Sequence, residues 1–118
     1  MKVHVFKSKK RITKACRIIE DNQLMYRGGG FQYWMKTADY IDAVALAVDN
    51  GKYVGASIVV KDTSNPYGCN IGFYVDSNMR RKGIGRALAS KVKTVFSSKP
   101  LISAAWNNPP FFEAIDIK

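Results

Sequence analysis

The chain has 118 residues, 47% of them hydrophobic and 12% aromatic, which suits one globular domain over residues 1–118 and argues against a disordered chain. Nineteen Lys and Arg residues against nine Asp and Glu residues give a formal net charge of +10, an excess that favours an anionic partner. The sequence has neither a signal-peptide core nor an apolar run of ~18 residues, so we expect a soluble, cytoplasmic protein without a membrane span.

Metal and disulfide chemistry have little basis in this composition. The chain contains two cysteines, Cys16 and Cys69, in segments that suit a helix and a strand, and one histidine, His4. No C-x-x-C pair is present, and so few ligands fit neither a zinc site nor a disulfide framework. We therefore expect no bound metal.

The N-terminal part predicts a strand followed by an amphipathic helix. Residues 2–6 alternate apolar and polar side chains, as a short strand does. A helix over residues 8–22 is indicated by apolar residues at i, i+3, i+4 and i+7, namely Ile12, Ala15, Cys16 and Ile19. Its outer face carries most of a basic cluster that has six Lys and Arg residues and no acid between Lys7 and Arg17.

The segment 23–39 follows without a clear period. Its three consecutive glycines are incompatible with a continuous helix, yet its aromatic residues need cover. We expect a loop or a broken helix packed over the body of the domain. It would serve as a lid, as a substrate wall or as a satellite hydrophobic cluster under a long loop.

The middle of the chain predicts three successive strands. Residues 43–48 and 53–60 are strand-like runs on either side of Asn50-Gly51, a dipeptide that is the strongest short-range signal of a β-hairpin. After a turn-rich connection, apolar residues alternate along residues 69–75 and indicate the third strand. Gly72 inside this strand points to a bulge or to a close backbone approach.

The C-terminal third returns to helical spacing. A helix that begins near Gly83 and ends near Ser98 is indicated by one apolar face, made of Ile84, Leu88, Val92, Val95 and Phe96. Residues 101–106 predict a further strand, and residues 111–115 predict a short final helix. The fold class is therefore α+β, or mixed α/β, with a central sheet flanked by helices.

A basic, glycine-rich turn lies between the strand that ends near Val75 and the helix that begins near Gly83. The first turn of a helix leaves amide N–H groups unpaired and carries roughly half a positive charge. Glycine at positions 83 and 85 lets an anion approach the backbone. Long-range attraction comes from the neighbouring basic residues, Arg80, Arg81, Lys82 and Arg86.

The turn therefore predicts a diphosphate-binding loop. It lacks the Gly-Lys-Ser/Thr ending of a nucleotide-hydrolysing P-loop. It also lacks the third glycine of the Rossmann fingerprint, and its strand follows a hairpin instead of opening a βαβ unit. Both of those nucleotide-binding classes are disfavoured.

The pattern that does fit belongs to a known family. Residues 80–85, Arg-Arg-Lys-Gly-Ile-Gly, resemble the sequence Q/R-x-x-G-x-G/A that GNAT-type N-acetyltransferases place between their fourth strand and the following helix. The order of the predicted elements also resembles that of the family. The resemblance implies a GNAT-like fold, with a mostly antiparallel sheet that splays into a V between strands 4 and 5. It also implies acetyl transfer from acetyl-coenzyme A (acetyl-CoA) to an amine, such as a protein lysine or N-terminus.

The resemblance further implies where the cofactor binds. Backbone groups of Phe73 and Val75 would bind the pantetheine arm as if it were an extra strand, and amides of residues 81–86 would bind the pyrophosphate. One asparagine of the pair that follows the predicted strand 101–106 would contact pantetheine. The expected cofactor-binding residues are Phe73, Tyr74, Val75, Arg80, Arg81, Lys82, Gly83, Ile84, Gly85, Arg86, Asn107 and Asn108.

The chain departs from the family pattern at two points. Many members use a tyrosine of the last helix as the general acid that protonates the leaving thiolate, whereas this chain has no tyrosine after Tyr74. The chain also ends at Lys118, where relatives continue with two further strands, so we expect a small, C-terminally truncated member. No catalytic acid or base is assigned, because His4, Asp62 and Asp76 better suit structural or turn roles.

Three interpretations of the function stay open. The first is acetyl transfer to an amine, with water, another side chain or a partner chain of a homodimer supplying the proton for the thiolate. The second is a cofactor-binding or interaction protein of the same fold without catalysis. The third is nucleic-acid binding, in which the basic clusters at residues 7–17 and 80–93 form one continuous track and aromatic side chains stack on bases.

Overall fold

The described part of the chain has the predicted order of helices and strands. The computed structural model describes residues 1–25, 35, 39, 41–60, 71–79 and 82–95. A short 3-10 turn, Ser77–Met79, precedes the last helix. The main elements are β1 (Lys2–Phe6), α1 (Lys9–Asp21), β2 (Ile41–Asp49), β3 (Lys52–Val60), β4 (Ile71–Val75) and α2 (Ile84–Val95).

The strands and helices predicted up to α2 are therefore confirmed in type and order. The strand predicted at 101–106 and the helix predicted at 111–115 lie outside the described residues, as does most of the segment 23–39. The proposed splay between strands 4 and 5 also involves residues outside the described part. None of the helices that the structure describes is both long and apolar enough to cross a lipid bilayer.

The strands form one antiparallel sheet with the order β1-β2-β3-β4. The β2–β3 hairpin closes through the predicted Asn50-Gly51 turn, in which both residues have positive φ angles, 51° and 75°. Positive φ at both central residues is the geometry of a two-residue turn whose twist matches that of the flanking strands. The mostly antiparallel sheet expected from the sequence is thus confirmed.

Irregular pairing occurs in the hairpin and not at Gly72. The register of β2 and β3 shifts between Ile41 and Ala43 and again between Ala47 and Val48. β4 keeps an even register with β3, and Gly72 lies opposite Ile58. Of the two interpretations of Gly72, the bulge is therefore wrong. The shifts in the hairpin increase its local twist, as bulges do.

Each face of the sheet has its own hydrophobic layer. Successive residues of a strand point to opposite faces, so Val44 and Ala45 of β2 belong to different layers. The α1 layer contains the four apolar helix residues expected from the sequence, Ile12, Ala15, Cys16 and Ile19, packed on the sheet through residues such as Leu46 and Ile58. The α2 layer contains Ile84, Leu88, Ala89 and Val92 over Ala43, Ala45, Ala47, Val59 and Ile71.

The thiol of Cys16 is enclosed in the α1 layer. Burial, and to a smaller degree the negative charge of Glu20 one turn away, raises the pKa of Cys16 to about 11. The nucleophilic form of cysteine is the thiolate, so this thiol is neutral and poorly reactive at neutral pH. Its role in the described part of the chain is packing.

We predict that Cys16 makes the protein less stable in alkaline solution. Its pKa of about 11 in the folded chain lies above the 9.0 of an exposed thiol. The unfolded chain therefore loses this proton first, and the free energy of unfolding falls as the pH rises between those two values. Denaturant unfolding at several pH values across that window should show a smaller decline for Cys16→Ala than for the parent. The same decline in both proteins would contradict the burial of the thiol.

Candidate functional site

The loop between β4 and α2 starts at Asp76, which fixes its direction. The backbone N–H of Asp76 donates to the carbonyl oxygen of Val54 on β3 at 2.9 Å, and its carbonyl oxygen accepts from the amide of Met79 at 2.8 Å. The carboxylate Oδ1 of Asp76 accepts from the amide of Asn78 at 3.1 Å. These bonds make Asp76 a turn residue, as the sequence indicated, in the pattern that Asp side chains form with the backbone two residues later.

The loop ends at Gly83, where the backbone takes a conformation that favours glycine. Gly83 has a φ of 79°. Its carbonyl oxygen accepts from the amide of Ala87 at 2.9 Å, which makes Gly83 the N-cap residue of α2. Among the described residues, chain neighbours apart, no heavy atom lies within 4 Å of the position that a β-carbon on Gly83 would occupy. In that part of the structure, the backbone therefore borders open space where the helix begins.

The first turn of α2 differs from that of α1 in how it is capped. At α1, the Oγ of Ser8 accepts from the amide of Arg11 at 3.3 Å. At α2, the N-cap residue Gly83 has no side chain that can accept, and the first turn contains no acidic residue. The first amides of a helix have no carbonyl partner within it, and the aligned peptides place positive potential there. The start of α2 is thus suited to binding an anion.

Two basic side chains flank this helix start. Lys82 and Arg86 are both exposed. The Nζ of Lys82 lies 3.8 Å from the Sδ of Met79, a residue that packs against the α2 layer. The other two basic residues of the motif, Arg80 and Arg81, lie outside the described residues, as do Asn107 and Asn108.

The end of β4 presents side chains to both layers of the molecule. Phe73 and Val75 are half-buried against the α2 layer, and Tyr74 packs against the α1 layer. β4 is the last strand in the described sheet, beside β3. The structure therefore brings together eight of the expected cofactor-binding residues, on β4 and at the start of α2: Phe73, Tyr74, Val75, Lys82, Gly83, Ile84, Gly85 and Arg86.

Gly55 of β3 determines how closely α2 approaches this strand. A β-carbon on Gly55 would lie 2.9 Å from the Cγ2 of Ile84, 3.2 Å from the Cδ1 of Leu88 and 3.1 Å from the carbonyl oxygen of Tyr74. A real β-carbon essentially never lies 2.9 Å from another carbon, so a side chain at residue 55 would displace Ile84 and press on Leu88 and on the backbone of β4. Gly55 was not predicted as a site residue, although a glycine inside a strand is a recognised signal of close approach.

Ser57, like Gly55, is a residue near the candidate site that was not predicted from the sequence. It is fully buried on β3, opposite Phe73, and its Oγ has no hydrogen-bond partner among the residues that the structure describes. Burying an unpaired hydroxyl costs about 1–3 kcal/mol. Among the described residues, it is the one buried polar side chain, and it lies on the same face as Phe73 because directly opposite residues of an antiparallel pair share a face.

Sequence comparison identifies the class of protein that this fold and site define. The family model for the acetyltransferase (GNAT) family matches residues 10–109, which is most of the chain. The chain therefore belongs to the GNAT acetyltransferase family. No curated protein matches the sequence.

Solved structures of the same fold share little sequence with this chain. An aminoglycoside N-acetyltransferase, AAC(6')-Iy, in complex with CoA has 16% identity and a TM-score of 0.60, over 99% of this chain and 88% of that one. A ribosomal-protein-alanine N-acetyltransferase from Brucella melitensis biovar Abortus 2308 has 13% identity and a TM-score of 0.58, over 98% and 89%. A GNAT-family protein from Xanthomonas campestris pv. campestris has 15% identity and a TM-score of 0.60, over 100% and 85%. These likenesses establish the GNAT fold.

We predict that Gly55→Ala lowers the free energy of unfolding by about 1–3 kcal/mol, because the added methyl group overpacks the contact with α2. The loss should be coupled to Ile84, whose Cγ2 is the nearest atom. In a double-mutant cycle with Ile84→Ala, the double variant should lose at least about 0.5 kcal/mol less free energy of unfolding than the sum of the two single losses.

The matched control for this cycle is Ile58→Val, on the α1 side of the same strand. Combined with Gly55→Ala, it should be additive within about 0.5 kcal/mol. Denaturant unfolding measures all of these free energies. Additivity in both pairs would show that Gly55 does not set the position of α2.

Proposed function

We propose that this chain binds acetyl-CoA where β4 meets α2 and transfers the acetyl group to an amine. The observation that carries the proposal is the start of α2, where Gly83 is exposed, has a positive φ and offers no side chain that could accept from the amides of the first turn. Membership of the GNAT acetyltransferase family supports the same assignment. So does the likeness to a structure described as a complex with CoA.

The pyrophosphate of the cofactor suits the start of α2 chemically. Amides at Ile84, Gly85 and Arg86 would donate to phosphate oxygens, and the helix dipole favours negative charge at that end. Lys82 and Arg86 are exposed beside it and add electrostatic attraction. Arg80 and Arg81 would add further charge, as the family resemblance implies.

The pantetheine arm would run along β4. Backbone groups of Phe73 and Val75 would hold it as an additional strand, in the manner of β-strand addition. Tyr74 lies between them, with its side chain in the α1 layer. Asn107 or Asn108 would contact the same arm. The side chains at 73 and 75 pack beneath α2, so the arm and the pyrophosphate would be held by two elements in direct contact.

When bound, acetyl-CoA supplies a thioester whose acyl carbon bonds to the amine nitrogen as the carbon–sulfur bond breaks, while the amine loses a proton and the thiolate gains one. The protein must hold the two reactants in line and exclude competing water. Asp76 is committed to the loop turn, and His4 is exposed on β1. Neither is proposed as the base, and an amine that arrives neutral does not need one.

The second candidate is a CoA-binding protein without transferase activity. It is favoured by one observation, the absence of any tyrosine after Tyr74. If no other group supplies the proton for the thiolate, transfer would be slower by up to the ~10²–10⁴-fold that general acid catalysis supplies. The two candidates predict the same cofactor binding and differ in whether free CoA accumulates when acetyl-CoA is mixed with a panel of amines.

We predict that Gly83→Asn weakens CoA binding at least about tenfold, because charge-assisted hydrogen bonds are worth about 1.5–3 kcal/mol and the new side chain occupies the phosphate position. Asparagine tolerates positive φ better than most residues, so the fold should persist. Pantetheine has no pyrophosphate, and its affinity should stay unchanged. Isothermal titration calorimetry at physiological salt measures both ligands.

Gly51→Asn is the matched control for this test. Gly51 also has a positive φ, 75°, and no described heavy atom within 4 Å of its β-carbon position, but it lies in the β2–β3 turn. This variant should bind CoA as the parent does. If the parent protein binds no CoA, the proposed function is wrong. If Gly83→Asn binds CoA normally, the pyrophosphate lies elsewhere.

A further inference from the structure

The proposed cofactor site does not account for the charge on α1. Three basic residues, Lys10, Lys14 and Arg17, occupy positions i, i+4 and i+7 and form a line along the helix. All three are exposed, on the side opposite the buried residues of α1. At a rise of 1.5 Å per residue, the line is about 10 Å long. In the described part of the chain, no ion pair involves any of them. We call this line the α1 basic face.

The neighbouring basic side chains of α1 are differently placed. Lys9 forms an ion pair with Asp39 at 2.9 Å. The guanidinium of Arg11 lies over the ring of Phe6, 5.1 Å from its centre. This distance suits a cation–π contact. These two residues therefore have partners within the protein, whereas the α1 basic face points to solvent.

The charges of α1 are arranged against the stability of the helix. Its first turn contains Lys9, Lys10 and Arg11 and no acid, and its last turn has Glu20 and Asp21 and no base. The helix dipole favours the reverse arrangement by about 0.3–1 kcal/mol for each charge. α2 follows the usual rule, with Lys93 in its last turn. Helix stability thus gives no reason for the cations at the start of α1.

The basic residues carried by α1 and those carried by α2 lie on opposite faces of the sheet. α1 packs on one face and α2 on the other. The continuous basic track predicted along residues 7–17 and 80–93 would therefore have to pass around an edge of the sheet, and it stays a prediction. A ligand at the start of α2 therefore leaves the charge of the α1 basic face uncompensated.

We propose that the α1 basic face binds the phosphate backbone of a nucleic acid without reading its sequence. One strand of a duplex carries a phosphate about every 3.4 Å of axis, so a line of about 10 Å spans about three phosphates. Three cations in that length match three anions. Contacts to phosphates position a protein on nucleic acid and carry no sequence information.

An acidic protein is disfavoured as the partner because the α1 basic face has no apolar anchor. Protein interfaces gain most of their energy from a few buried aromatic or other large side chains. On the described surface, the one exposed large hydrophobic residue is Met1, 56% exposed. Phosphate contacts need no apolar surface, so nucleic acid fits the charge and the composition of this face better.

The test is fluorescence anisotropy of a labelled mixed-sequence duplex of about 20 base pairs, titrated with the full chain between about 50 and 200 mM salt. Three phosphate contacts predict a slope of log K against log salt of about −2.7. The variant Lys10→Gln/Lys14→Gln/Arg17→Gln should reduce the magnitude of the slope by about that amount and weaken binding at least tenfold at the lowest salt. A labelled RNA of the same length, run in parallel, shows which polymer binds more tightly.

The control variant Lys2→Gln/Lys52→Gln/Lys91→Gln removes the same charge from exposed positions elsewhere. It should keep most of the slope. Equal losses in the two variants would mean that net charge alone drives binding and would overturn the proposal. So would tighter binding to poly-glutamate than to either nucleic acid, or no binding to either.

A fourth protein separates lost contacts from lost folding. Lys10→Arg/Lys14→Arg/Arg17→Lys keeps all three charges and should bind as the parent does. Circular dichroism and thermal melting establish whether the glutamine variant is folded. If it is not, the single variants Lys14→Gln and Lys91→Gln replace the triple variants, and only the first should reduce the magnitude of the slope, by about 0.9.

Discussion

The start of α2 can lie against the sheet only because residue 55 has no side chain. The missing β-carbon would meet the helix at Ile84 and Leu88 and β4 at the carbonyl of Tyr74. One atom position thus limits the distance between the helix and the strand that together form the candidate site. Protein interiors are close-packed and transmit displacements, so a side chain at residue 55 would disturb the packing of both α2 and β4. The neighbouring strand β2 also presents small side chains to α2, the alanines at positions 43, 45 and 47.

Local hydrogen bonds and backbone geometry fix both ends of the loop between β4 and α2. Asp76 holds the first end through backbone bonds to Val54 and Met79 and a side-chain bond to Asn78. Gly83 holds the other end with a φ of 79° and a carbonyl bonded to Ala87. A left-handed conformation costs other residues about 1–2 kcal/mol, whereas glycine adopts it readily. The amides of the first turn are therefore directed by local geometry before any ligand arrives, which reduces the ordering that binding requires.

Local signals in the sequence predicted most of the described fold. The spacing of Ile12, Ala15, Cys16 and Ile19 gave the buried face of α1, and Asn50-Gly51 gave the hairpin. These features depend on residues close in sequence, so they can be predicted without knowledge of the fold. The close approach at Gly55 depends on three segments that meet only in the fold. A glycine inside a strand indicates a bulge or a close approach, and this rule was applied to Gly72. Nothing in the neighbouring sequence distinguishes Gly72 from Gly55. The placement of α1 and α2, with the basic residues that they carry, on opposite faces of the sheet likewise follows from the topology, which composition does not encode.

The positive charge of the candidate site would serve the pyrophosphate and would not replace the missing tyrosine. Lys82 and Arg86 lie at the start of α2, where the proposed pyrophosphate would bind and neutralise their charge. In coenzyme A, the pantetheine arm separates the sulfur from the pyrophosphate, and in the proposed complex this arm would run along β4. Positive groups lower the pKa of a thiol only when they lie close to it. The charge at the helix start would therefore strengthen cofactor binding, and the proton for the leaving thiolate would have to come from water, another side chain or a partner chain.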